Sequence, residues 1–256
     1  MQKVLVAKTP KGESGRQKAK IMHERNIVRL FNSAHSGYML KYYGCTQQAF
    51  PYRNALLMDY HPGTVALLEH LQLRRESLSV EGKLALLAHL SNGLRFLAYY
   101  KVTHMDLTLS NVLVHDGYLP KIIDFGEAYH RNTLKATLQG AYAPGFTLPY
   151  CAPEVFTHKE FSSATDMFSF GVVIHRVLLN ALPFFPADSL VGVYRAGEHH
   201  GRFLLAPEAL ASVCNQQVCF LLLQLVKLCL RAQEEGRPLP IWTTIILKEI
   251  LTEVFL

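Results

Sequence analysis

The apolar positions of the chain change character near residue 61. Before it, Val4-Leu5-Val6-Ala7-Lys8 is a short run with a β-branched bias, closed by the turn signal Thr9-Pro10-Lys11-Gly12, and it predicts a strand. From about residue 16 to 31, Ala19, Ile21, Ile27, Val28, Leu30 and Phe31 fit a helical stripe loosely. Residues 38–43 and 54–59 read as two further strands. His61-Pro62-Gly63 then punctuates the chain, and helix dominates beyond it outside one motif-bearing stretch. Leu84, Leu87, Ala88, Leu94 and Leu97 recur at helical spacing, and further helices are predicted near 163–179, 213–231 and 242–254. Residues 80–100 form an ordinary amphipathic pattern with no partner signature. There is no internal repeat. The expectation is an α+β chain in two lobes: strand-helix-strand-strand over residues 1–59, and a mainly helical lobe over 60–256.

Composition narrows the class. The 256 residues are 50% hydrophobic and 18% charged, a globular balance with ample material for a core. The formal charge of +6 implies a mildly basic surface. Its Lys and Arg residues are scattered, however, which argues solubility and association rather than nucleic-acid binding. Five cysteines include no Cys-x-x-Cys pair, and three lie in or beside the apolar stretch 213–230, where Cys behaves as a small buried hydrophobe. A reducing compartment is the plain reading. Twelve histidines show no zinc-like spacing, and His199-His200 reads as surface. The apolar run at the N-terminus is too short for a signal peptide. The longest apolar region, 168–185, contains His175, Arg176 and Asn180 and reads as a helix buried in protein rather than a membrane span. A cytoplasmic, alternatively nuclear, location is expected.

Chemistry concentrates between residues 104 and 126. His104-Met-Asp106-Leu-Thr-Leu-Ser-Asn111 is followed by Val112-Leu-Val114, a turn, and Lys121-Ile-Ile-Asp124-Phe-Gly126. Asp106 can take a proton from a hydroxyl, Asn111 can offer an amide oxygen, and Asp124 can hold a hard cation through carboxylate oxygens. A lone Asp-Phe-Gly is a weak signal. Preceded by His-x-Asp-x-x-x-x-Asn and followed by Ala152-Pro153-Glu154, it is a specific one. The chain resembles a eukaryotic-type protein kinase domain, and the resemblance covers almost all of it.

The resemblance implies a two-lobed protein-kinase-like fold as a single domain over 1–256, with a partial small lobe. Val6-Ala7-Lys8 is similar to the family's strand lysine motif, and Glu24 is its best partner on the following helix. Lys8 would hold the α- and β-phosphates of ATP. Met58 would be the gatekeeper, with Asp59 and His61 presenting hinge backbone to the adenine edge, and Ala7 and Leu113 against its faces. Asn111 and Asp124 would bind Mg2+, and Asp106 would orient the attacking hydroxyl and accept its proton. His104 and Asp166 take structural roles, Asp166 as a buried carboxylate tied to the catalytic loop. Arg237 would pair with Glu154. Thr147-Leu-Pro-Tyr150-Cys-Ala-Pro-Glu154 resembles the serine/threonine class, which implies a protein Ser/Thr hydroxyl as acceptor.

Three departures bear on activity. The sequence begins at the lysine strand and contains no Gly-x-Gly-x-x-Gly, so either it is truncated relative to a fuller protein or nucleotide binding is degraded. Met105 replaces the arginine that captures an activation-loop phosphate, so activity is expected not to depend on phosphorylating Thr133, Thr137 or Tyr142. Thr108 replaces the lysine that touches the transferring phosphate, leaving no cation from Asp106 to Asn111; losing one such charge can cost about 3–4 kcal/mol. These departures keep a second reading open: a pseudokinase that binds or regulates a protein partner. A small-molecule kinase acting on an aminoglycoside or choline-like alcohol is a third, but Ala-Pro-Glu and Asp166-Met-Phe-Ser-Phe-Gly171 argue against it.

Overall fold

The computed structural model describes residues 4–10, 15–34, 37–46, 54–73, 78–115, 119–132, 147–156, 161–183, 215–231 and 233–255. The loop residues Thr133, Thr137 and Tyr142, together with His199, His200 and Cys214, lie outside them.

The small lobe holds one antiparallel sheet. Leu5–Lys8 (β1) pairs with Leu56–Asp59 (β3), which pairs on its other edge with Tyr42–Cys45 (β2), giving the order β1-β3-β2. The register sets Lys8 opposite Leu56 and Ala7 opposite Leu57. Between β1 and β2 runs helix α1, Gly15–Phe31, whose Ile21, Glu24, Ile27, Val28 and Phe31 form the buried face. The expected strand at 38–43 is displaced toward the C-terminus. The carbonyl of Tyr38 accepts from the amide of Ile122 at 2.8 Å, and Met39 makes an isolated parallel bridge to Ile122, so this stretch pairs with the large lobe before β2 begins. The strand expected from residue 54 starts at Leu56, because Asn54 has a left-handed φ of 56° and turns the chain.

Two short elements not expected from the pattern follow the hinge, Val65–Ala66 (β4) and helix α2, Leu67–Leu73. Helix α3, Val80–Tyr99, begins at Ser79, whose hydroxyl caps the amide of Gly82. After Val102–Thr103 (β5), the hairpin of Val112–His115 (β6) and Leu119–Ile122 (β7) carries the motif residues at its ends, and Tyr129–His130 (β8) pairs back onto β5. Three helices complete the described large lobe: α4, Ser163–Leu179; α5, Gln216–Cys229; and α6, Pro240–Phe255.

Helix α4 is buried on nearly every side. Met167, Phe168, Phe170, Val172, Val173 and Ile174 are all shut away from water, which is what an all-round apolar sequence requires. Gly171 lets α5 approach it: a Cβ there would sit 2.7 Å from the Cβ of Cys229. Helix α6 docks on α3, where the hydroxyl of Ser91 donates to the carbonyl of Pro240 at 3.0 Å. One apolar cluster runs without interruption from Ile21 and Phe31 through Phe125 to Ile250. Phe31 meets Phe125 at 5.2 Å and His104 meets it at 5.0 Å, so the two lobes share a core at the cleft. No helix among the described residues is long and apolar enough to cross a membrane.

Candidate active site

The cleft is built where β1, α1 and the β6–β7 hairpin converge. Lys8 leaves the end of β1 and its ammonium contacts two carboxylates at once, Glu24 Oε2 at 2.7 Å and Asp124 Oδ1 at 2.8 Å. Glu24 is nearly inaccessible. Burial pushes its carboxyl up and Lys8 pulls it down, and burial prevails. For Asp124 the balance falls the other way. Burial raises it, but the charge and hydrogen bond of Lys8, the amide of Gly126 and the charge of Lys20 together hold it below the usual carboxylate range.

Asp124 occupies a left-handed conformation, φ 65°, at the head of a short turn spanning Phe125–Glu127. Such a conformation costs a non-glycine residue energy and persists only where its surroundings impose it. They do here: Asp124 Oδ1 accepts from the amide of Gly126 at 3.2 Å, and the amide of Phe125 donates to Glu24 Oε1 at 3.2 Å. The catalytic loop is fixed as firmly. Asp166, wholly buried on α4, accepts the amides of His104 at 2.7 Å and Met105 at 3.0 Å, and Met105 takes a left-handed φ of 70°. Burial raises the Asp166 carboxyl to about 6, against the pull of His104 and of those two amides.

Asp106 stands between two donors. Asn111 Nδ2 donates to its carbonyl at 2.8 Å and its Oδ2 at 3.0 Å, while the hydroxyl of Thr147 donates to its Oδ1 at 2.7 Å. Thr147 is a contact that sequence reasoning missed; its place at the head of the Thr147–Glu154 motif was the available signal. With the Asn111 amide group turned onto Asp106, its oxygen is the end that can meet a cation. Among the described residues no cluster of three or more His, Cys, Asp or Glu side chains could hold a metal alone. One carboxylate and one amide oxygen suit magnesium, which keeps waters and takes its remaining ligands from phosphates. The donor set therefore fits that ion.

The residues expected around a nucleotide base do not all share one face: Ala7 alternates with Lys8 along β1 and pairs with Leu57, so its side chain stands on the side of the sheet opposite Met58, the partner of Val6. Ala7, Met58 and Leu113 are half-buried, Ala7 on β1, Met58 on β3 opposite Val6, and Leu113 on β6. The amide of Asp59 donates to the carbonyl of Lys41 at 3.0 Å and its carboxylate accepts from Tyr43. Asp59 would thus serve an adenine edge through its carbonyl. The carbonyl of His61 accepts the amide of Thr64 in the turn that follows.

Met105 does not line the cleft. It is 4% exposed and packs with Tyr129 and Phe161 in a small apolar cluster. Where a phosphate-binding arginine stands in the motif, this chain therefore has hydrocarbon. The expected lock at the far end of the loop is present: Arg237 grips Glu154 with two bonds, 2.7 and 2.9 Å, both side chains buried, and lies over the ring of Phe168 at 5.1 Å.

Comparisons with known proteins identify the family. The family described as protein tyrosine and serine/threonine kinase matches residues 1–239. The chain is 33% identical over 141 residues to "Serine/threonine-protein kinase A" of Synechocystis, covering 54% of this chain and 26% of that protein. It is 27% identical over 186 residues to "Myosin light chain kinase 2, skeletal/cardiac muscle" of Oryctolagus cuniculus, covering 72% of this chain and 29% of that protein. It is also 30% identical over 148 residues to "Megakaryocyte-associated tyrosine-protein kinase" of Mus musculus, covering 54% of this chain and 28% of that protein. The chain thus spans between a quarter and a third of the length of these curated relatives.

Proposed function

The chain belongs to the protein tyrosine and serine/threonine kinase family, and from that premise we propose that its cleft transfers the γ-phosphoryl group of ATP to a Ser or Thr hydroxyl of a protein substrate. The observation that carries this reading is the bridge of Lys8 between Glu24 and Asp124, beside an Asp106 oriented by Asn111. Phosphoryl transfer asks a protein for positioning and charge neutralisation more than for covalent chemistry.

In this reading Glu24 fixes the Lys8 ammonium, which neutralises charge on the α- and β-phosphates. Asp124 and the amide oxygen of Asn111 would hold magnesium, which would supply positive charge to offset the charge developing on the phosphoryl group. Asp106 accepts the proton of the attacking hydroxyl. Thr147 and Asn111 hold the Asp106 carboxylate toward that hydroxyl. Met58 and Leu113 lie against the adenine, and the backbone at Asp59 and His61 reads its edge. Residues 1–256 act as one domain, with 1–59 the small-lobe part, in a cytoplasmic setting.

A second reading is favoured by one specific observation. No cation lies between Asp106 and Asn111, where Thr108 stands buried, so this loop brings no charge of its own to the transferring phosphoryl group. A pseudokinase that keeps the site for binding and regulates a protein partner would tolerate that. Thermal melting with and without millimolar Mg-ATP separates the possibilities in two steps. A rise that Asp124→Ala removes supports nucleotide binding, and turnover that Asp106→Asn removes then supports the enzyme. A rise without turnover supports the pseudokinase, and no rise in the folded chain sinks both nucleotide-dependent readings.

A further inference from the structure

Helix α1 reaches the metal-holding turn with more than Glu24. In the turn of helix that carries Glu24, Lys20 and His23 point the same way. Lys20 Nζ donates to Glu127 Oε1 at 2.6 Å, and His23 Nε2 meets the carbonyl of Ala128 at 2.6 Å. A carbonyl can only accept, so His23 Nε2 carries the proton. Lys20 and Glu24 stand at i and i+4, the weaker order for a helical Lys–Glu pair. Neither uses the other: Glu24 turns to Lys8 and to the amide of Phe125, and Lys20 crosses to Glu127. The methylenes of Lys20 lie against Gly126, where a Cβ would collide with them. Burial lowers the Lys20 ammonium, but Glu127 through its hydrogen bond and charge, with Asp124 and Asp106, outweighs burial and raises it. Four consecutive residues of the turn, 125 to 128, are thereby gripped or covered by one turn of α1.

We propose that Lys20 and Glu127 are positioning residues for Asp124: their ion pair, backed by His23 on the Ala128 carbonyl, locks the Phe125–Glu127 turn onto helix α1 and keeps the Asp124 carboxylate in its left-handed pose beside Lys8. The inference rests on the kinase reading of the cleft, because it assigns Asp124 to the metal. Partners that orient a metal ligand from outside commonly change metal affinity about 10- to 100-fold when removed. Lys20 acts on Asp124 through the turn, and its charge adds to that of Lys8 in holding the carboxylate ionised.

The test is a charge-swap cycle in the full chain: Lys20→Glu, Glu127→Lys and the two together. Two quantities are read. One is affinity for Mn2+ in the presence of a non-hydrolysable ATP analogue, followed by electron paramagnetic resonance. The other is the hydrogen-exchange rate of the Phe125 and Gly126 amides. Each single swap is expected to weaken Mn2+ about tenfold and to speed exchange in the turn, and the double swap to recover most of both. Single swaps that leave both readouts unchanged overturn the inference, as does a double swap no better than the singles. Faster exchange with unchanged Mn2+ affinity overturns it too, since the pair would then only stiffen the turn. Asp124→Ala provides the separation. If the parent binds Mn2+ with the analogue, and Asp124→Ala does not, silent swaps sink this inference alone. A parent that binds none sinks the kinase reading with it.

Discussion

Two cation–carboxylate assemblies in this molecule use the same chemistry in opposite surroundings. Arg237 and Glu154 have side-chain exposures of 0% and 3%, and the guanidinium adds to its two bonds with Glu154 the carbonyls of Arg231 and Ala164. Lys8 and Asp124 have 28% and 34%, and Lys8 divides its charge between Asp124 and Glu24. A fully desolvated pair cannot be exchanged for another partner cheaply, because either ion left alone is stranded in hydrocarbon. A half-solvated one can, because water and an incoming phosphate can replace a carboxylate. The first assembly ties the Ala152-Pro153-Glu154 segment to the large lobe. The second joins one buried carboxylate, Glu24, to one that water reaches, Asp124, through a single ammonium.

The largest expected effect breaks the buried member. Arg237→Ala should cost about 3–5 kcal/mol of stability by leaving Glu154 buried and unpaired, visible as a large fall in the denaturant midpoint. Lys8→Ala should lose its response to Mg-ATP and cost less stability than Arg237→Ala, since it leaves the buried Glu24 without its cation but Asp124 open to water; equal destabilisation by the two would erase the distinction. Asp106→Asn comes next: turnover should fall by about 10²- to 10⁴-fold, with the melting temperature unchanged.

The contrast extends to pH. The Asp166 carboxyl is raised to about 6 in the fold from 3.8, so its contribution to stability is full below 3.8 and is lost as pH rises through about 6. Asp124 is lowered, so its contribution is present above 3.8 and is lost as pH falls through its folded value. Unfolding free energies measured from pH 3 to 7 should therefore show Asp166→Asn and Asp124→Asn changing the pH slope in opposite senses, and slopes changed in the same sense would contradict the assignment. The smallest effect concerns the loop. Phosphorylating Thr133, Thr137 or Tyr142 should leave kcat/KM where it was, because Met105 offers hydrocarbon instead of a guanidinium; a large rise would show a phosphate site elsewhere.

Much of this was legible from the residues. The apolar run of α4 and the 104–126 motif announced themselves because burial and chemistry there demand particular residue types. The Arg237–Glu154 pair and the tether from Asp166 to the catalytic loop followed from motif order. The small lobe was harder. Its strands are four residues each, Gly44 and Asn54 bend the chain at positive φ, and the register shifts between Tyr42 and Gly44. In runs that short, one turn residue moves an element by several positions. Helix α2 escaped notice for a related reason, being seven residues long and directly after a two-residue strand. Lys20 was illegible for a different one. On a helix with Glu24 four residues on, it looks like half of a surface pair, and only the fold brings Glu127 to it.

The stitch between Tyr38 and Ile122 fastens the small lobe to the strand that leads into the site. The Ile122 amide donates to the Tyr38 carbonyl at 2.8 Å, and the Lys121 ammonium donates to the carbonyl of Gly37 at 3.1 Å. Asp124 follows only two residues later along the same strand exit. The segment between α1 and β2 and the residue that faces Lys8 are thus anchored to one strand, so the link between the lobes and the placing of Asp124 depend on the same few backbone bonds of β7.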